Sequence, residues 1–134
     1  MRKVIVPLAL SGLLAGMAFA TGPVRSAEAP VELGTDLMQA IEDSNKSLSS
    51  NIALKDAKAS ATDAREINQA FIQVEAYFSD RPDAHDAVEL ARKTRELTDQ
   101  IVQSVGSGRF DAAADSATAL ARTCRTCHTF YKKS

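Results

Sequence analysis

From Gly34 onward, apolar residues recur every three or four positions, which is the period of an amphipathic helix. The pattern predicts a first helix opening at Thr35 or Asp36, either of which is a capping residue type. Its apolar face runs Leu37, Met38, Ile41, Leu48 and Ile52, with polar Asn45 interrupting it. This helix fades somewhere between Ala53 and Thr62, where neither glycine nor proline marks a break. A second helix carries Ala64, Ile67, Ala70, Phe71, Val74, Tyr77 and Phe78. Ser79-Asp80-Arg81-Pro82 then predicts a turn, with Pro82 suited to the first turn of the next helix. The third helix shows Ala84, Ala87, Val88, Ala91, Leu97, Ile101 and Val102, and is expected to stop before Gly106-Ser107-Gly108. The fourth has the cleanest stripe: Phe110, Ala113, Ala114, Ala117, Leu120, Ala121, Cys124, Cys127, His128 and Tyr131. Nothing alternates with the period of a strand. The expected fold is all-α, an antiparallel up-down-up-down four-helix bundle joined by short connections.

Ahead of the helices the chain reads differently. Arg2 and Lys3 followed by apolar Val4 to Ala15 and by Ala18-Phe19-Ala20 have the layout of a secretory signal peptide, residues 1–20. As a membrane anchor this stretch is short and is broken by Pro7, Gly12 and Gly16. Cleavage after Ala20 satisfies the small-residue rule, whereas cleavage after Ala27 would place Arg25 where a small residue is needed. Residues 21–34, rich in Gly, Pro and small residues, read as a loose N-terminal lead, and residues 35–134 as a single domain.

Composition narrows the function. Loss of Arg2 and Lys3 with the signal leaves 14 basic against 17 acidic side chains, a net charge of −3. With so few aromatics and no tryptophan, that balance excludes a nucleic-acid-binding domain. The export signal and the absence of a second long apolar run predict a periplasmic protein with no stable membrane span after cleavage.

The chemistry is concentrated at the other end. Cys124-Arg125-Thr126-Cys127-His128 is the attachment signature of c-type haem, one haem c per chain, near the end of the last helix. On a helix, Cys124 and His128 lie four residues apart on one face, with Cys127 one step round from the imidazole. Two thiols can thus hold one edge of a porphyrin while His128 reaches its iron as proximal ligand. A thioredoxin-like site would need a βαβ context, and a structural zinc site would need four ligands. The only other histidine, His85, stands at no finger-like spacing. Covalent haem attachment in bacteria takes place outside the cytoplasmic membrane, so the export signal and the motif support each other.

On the segment Cys124 to Lys132, with its Cys-x-x-Cys-His-x-x-aromatic-basic ending at the extreme C-terminus, the chain resembles the class II c-type cytochromes, the cytochrome c-prime family and its low-spin relatives. The resemblance covers residues 33–134, although only the C-terminal motif is specific. It implies a periplasmic four-helix bundle that is an electron carrier or a gas binder rather than an enzyme. Members with a methionine from the first helix on the sixth iron position are low-spin and carry single electrons between redox partner proteins. Members with an open position are five-coordinate and bind nitric oxide or carbon monoxide. Met38, the only methionine outside the signal, is near the start of the first helix, at the bundle end where the fourth helix finishes. The resemblance therefore favours Met38 as distal iron ligand. Met38 as plain core filler, or Leu37 or Ile41 facing the iron instead, stand as alternatives.

His85 is at the same end of the bundle, yet among Asp83, Asp86 and Glu89 it reads better as part of a solvated acidic first turn. Tyr131, three residues beyond His128, is expected to pack against the haem or its imidazole, and Tyr77 and Phe78 to wall the pocket. Arg122, Arg125, Lys132 and Lys133 surround the attachment site. They read either as favourable charge at a helix C-terminus or as partners for haem propionates or an acidic redox protein. Relatives often form homodimers through their first two helices.

Overall fold

The computed structural model describes residues 33–131. The signal at 1–20, most of the lead at 21–34, and Lys132 and Lys133 lie outside the described residues. Four helices make up the fold: α1 (Thr35–Ala53), α2 (Ala57–Ser79), α3 (His85–Gly106) and α4 (Phe110–Tyr131). No strand occurs among the described residues. None of the described helices is long and apolar enough to cross a membrane.

Side-chain bonds between neighbouring helices define the bundle. Asn51 of α1 donates to Asp63 of α2 at 2.7 Å, and Ser44 to Glu66 at 3.1 Å, so residues later in α1 meet residues earlier in α2. Asn68 of α2 meets Thr98 of α3, while Glu75 meets Arg92. Ser116 of α4 meets Gln100 of α3, while Tyr131 meets Asp86. Each pair of successive helices is antiparallel. The start of α1, the end of α2, the start of α3 and the end of α4 therefore share one end of the bundle.

The core is the apolar stripe of each helix turned inward. Leu48, Ile67, Ile101 and Leu120, one from each helix, are fully enclosed. Ile41, Phe71, Val74, Leu97, Val105 and the small residues Ala64, Ala87, Ala91 and Ala113 fill the space between them. Alanine at these positions lets the helices approach closely, and its high propensity keeps them helical.

The junctions correct the expected boundaries in two places and settle a third. Neither Thr35 nor Asp36 caps α1: the N-cap is Gly34, without a side-chain bond, and Thr35 is already helical. Pro82 lies outside α3, which begins at His85. The Ala84 amide bonds to the Arg81 carbonyl at 3.2 Å, closing a turn in which Pro82 takes the second position, where its fixed φ is favourable. The break after α1, left open by the sequence, falls at Leu54-Lys55-Asp56. There the Asp56 amide bonds to the Asn51 carbonyl at 2.9 Å and the Lys55 amide to the Ile52 carbonyl at 3.0 Å, a Schellman ending with Lys55 at φ 58°. Asp56 then caps α2 by accepting from the Ala59 amide. The end of α3 repeats this ending, with Arg109 bonded to Ser104, Gly108 to Val105, and Gly108 at φ 70°.

Candidate functional site

All three residues of the attachment motif project from the last two turns of α4, an unbroken helix to Tyr131. Leu120, one turn before Cys124, is the last fully buried residue of α4. Beyond it the helix leaves the core progressively: Cys124 and Cys127 are half-buried, and His128 is exposed. The motif residues are thus less deeply covered than the expected stripe implies, although Tyr131, farther along the helix, still meets Phe78 of α2 and Asp86 of α3. Ala114, placed on the same stripe, is exposed, since it lies about 100° round the helix from Ala113 and outside the arc of Ala113, Ala117 and Leu120.

Both cysteines are free thiols. Burial, and then the neighbouring Cys127, push the Cys124 thiol up to about 11. Burial, and then the Asp86 carboxylate, raise Cys127 as well. Both thiols are therefore protonated at neutral pH. Dithiol exchange relies on the opposite arrangement, a lowered thiol at a helix N-terminus. Addition of a thiol S–H across a vinyl group, by contrast, needs no external oxidant or reductant. Among the described residues His128 has no hydrogen-bond partner, which leaves its imidazole available as a ligand.

Beside the thiols lies an aromatic group built from two helix ends. Tyr131 packs on Phe78 with ring centroids 5.0 Å apart, and Phe78 meets Tyr77 edge-on at 5.0 Å. Arg81 stacks on the Tyr77 ring at 3.6 Å and donates to the Tyr77 carbonyl, closing the end of α2. Tyr131, expected to pack on the haem, has its ring against Phe78 and its hydroxyl hydrogen-bonded to the Asp86 carboxylate. That bond, ahead of burial, pushes the phenol up to about 12. Asp86 lies exposed in the acidic first turn of α3, as expected, and has a further role that the sequence did not show: it accepts the Tyr131 hydroxyl, and its charge acts on the Cys127 thiol. Its only sequence signal was its place beside His85 at the motif end of the bundle.

Met38 is half-buried and packs on the edge of the core, as Leu37 does, in the first turn of α1. Antiparallel order brings that turn to the motif end. His85 is exposed at the start of α3. An open hollow lined by Lys55, Gly108, Arg109 and Phe110 lies at the opposite end, beside the two Schellman turns.

The donor set fits a c-type haem. Two free thiols and a free imidazole stand within little more than one helical turn, and a thioether is available from the helix that begins at the same end. Among the described residues no three His, Cys, Asp or Glu side chains converge to hold an ion directly. Iron at this site would need the nitrogens of a porphyrin, carried by Cys124 and Cys127, besides His128. Compared with protein-family models, curated proteins and solved structures, the chain matches none of them.

Proposed function

We propose that this protein is an exported, periplasmic c-type cytochrome that carries single electrons between redox partner proteins. Cys124 and Cys127 hold one haem c, His128 is the proximal iron ligand, and Met38 takes the distal position. The observation that carries this reading is the arrangement on α4: two free, half-buried thiols and an unpartnered imidazole in successive turns of one helix. When bound, the haem supplies a one-electron ferric–ferrous couple. The chain's part is to hold the ligands still and keep water away. α4 fixes Cys124, Cys127 and His128 relative to one another. Leu37, Met38 and the Tyr77–Phe78–Tyr131 group offer apolar surface on the neighbouring helices. A thioether from Met38 favours the ferrous state relative to a second imidazole and so raises the potential.

The test is the visible spectrum of the protein secreted by a host competent in c-type maturation, ferric and ferrous, with and without carbon monoxide. The expected spectrum is low-spin and indifferent to the gas, and Met38→Ala converts it to one that responds. A wild-type spectrum that is already high-spin and shifts with carbon monoxide overturns Met38 ligation and moves the protein to the gas-binding branch. Absence of covalent haem, with Cys124→Ala/Cys127→Ala indistinguishable from wild type, ends the cytochrome reading.

A further inference from the structure

The charge of this chain is divided unevenly. Its first 115 residues carry 12 basic against 17 acidic side chains, whereas residues 116–134 carry four cationic side chains, Arg122, Arg125, Lys132 and Lys133, and no Asp or Glu. Arg122 and Arg125 are exposed and form no ion pair among the described residues. They share a strip of α4 with Thr126 and Thr129, spaced three, four and seven residues on from Arg122. The Thr126 and Thr129 hydroxyls turn back onto the carbonyls of Arg122 and Arg125, at 3.0 and 2.9 Å. The two guanidiniums are then the free polar groups of the strip. Phe130, 67% exposed, flanks it.

Favourable interaction with the helix dipole does not account for these arginines. That effect fades within the last turn, and α4 continues to Tyr131, beyond both of them. Membrane adsorption is no better, because an interfacial helix needs an apolar face, and the apolar face of α4 is spent on Ala113, Ala117 and Leu120 in the core.

We infer that the outer strip of α4 around Arg122, Arg125 and Phe130 is the docking surface for a partner protein that presents a carboxylate-rich patch. The inference rests on the cytochrome reading for its purpose, since the strip adjoins the turns that carry Cys124 and Cys127 and brings a partner close to the haem. Arginine supplies paired donors for carboxylates, and the exposed phenyl ring supplies an apolar anchor beside them. Local positive charge on a negative protein steers an acidic partner to this strip and away from the remaining surface.

Two measurements test it. In the first, the secreted full-length mature protein is titrated with an oligo-glutamate peptide at low salt, and amide chemical shifts are followed by NMR. Shifts confined to residues 118–131, and abolished in Arg122→Gln/Arg125→Gln, are expected. Shifts centred on other cations, such as Lys46 or Arg65, or unchanged in the double variant, overturn the assignment, as does tighter binding to anionic phosphatidylglycerol vesicles than to the peptide. In the second, ferrous protein passes one electron to hexacyanoferrate(III), giving ferric protein and hexacyanoferrate(II). If the strip governs encounter, the rate falls several-fold between about 10 and about 200 mM salt as screening sets in. A rate that rises with salt follows the net negative charge and overturns the proposal. A preparation without haem fails the cytochrome reading, while the peptide titration still decides whether the strip binds acidic partners.

Discussion

The seam between α2 and α3 and the seam between α1 and α4 are built from different materials. Between α2 and α3 run polar ties: Glu75 accepts from Arg92 and from Arg95, each at 2.8 Å, and Asn68 donates to Thr98 at 2.8 Å and to the Arg95 carbonyl at 3.1 Å. Ile67, Val74, Leu97 and Ile101 are buried beneath them. At the motif end, Leu37 and Met38 of α1 and Cys124 of α4 pack against the core and are only half-buried. Polar ties with fixed geometry specify one register, which apolar contact alone does less strictly. The candidate ligands all sit on α1 and α4. The polar ties join α2 to α3, while Leu37, Met38 and Cys124 leave part of their surface to solvent at the motif end.

The sharpest way to break this comparison is to delete equal amounts of apolar side chain from the two seams. Ile67→Ala removes a fully enclosed side chain from the tied seam and is expected to cost about 3 kcal/mol in urea unfolding of the protein without haem. Leu37→Ala, at the motif end, is expected to cost less than about 1.5 kcal/mol, because its side chain is already half in water. Equal losses would show that α1 and α4 pack as tightly as α2 and α3.

A smaller effect sharpens the role of the polar ties. The Arg92 hydrogen bond, despite partial burial and helped by Arg95, holds the Glu75 carboxyl below its ordinary value. A lowered carboxyl contributes stability above its unfolded value of about 4.5 and loses it as pH falls through the folded value. Glu75→Gln is therefore expected to remove on the order of 1 kcal/mol near neutral pH, the arginines being partly solvated, and to flatten the decline of stability below about pH 4.5. An unchanged acid limb would leave the tie without energetic weight.

The smallest effect reports on the motif end. Tyr131, raised from 10.0 to about 12 by its hydrogen bond to Asp86, favours the fold below its ordinary value and loses that contribution as pH rises through about 12. A late tyrosinate step in ultraviolet absorbance is expected in the wild type and absent in Tyr131→Phe, with the variant's stability less dependent on pH in that range. A wild type lacking the late step would mean that α3 and α4 are not joined there.

How much of this was legible before folding depended on how local each signal is. Two endings with the same hydrogen bonds make the point. After α3, Gly108 adopts φ 70°, and the glycines announce the stop. After α1, Lys55 adopts φ 58° in the same motif, and nothing in its chemistry announces it, because an L side chain in that region is held there by its surroundings rather than preferring it. Asp56, a good capping residue, was the available sign of where α2 begins. The run Cys124 to His128 stood out because its three residues lie within five positions. Asp86 did not, because its partner Tyr131 is 45 residues away and no periodicity relates them.

The sequence by itself determined four amphipathic helices, their order, most of their inward faces and the Cys-x-x-Cys-His spacing on the last of them, since all of these follow from side chains and spacing within one or two helical turns. Only the tertiary structure decided how deeply each position is buried, which helices are tied by polar bonds, and where Asp86 and Tyr131 meet. Those outcomes depend on which neighbouring helix lies opposite each position, which local spacing does not encode. His128 belongs to the stripe read from the sequence and is nevertheless exposed, while Tyr131, three residues farther along, reaches α2 and α3.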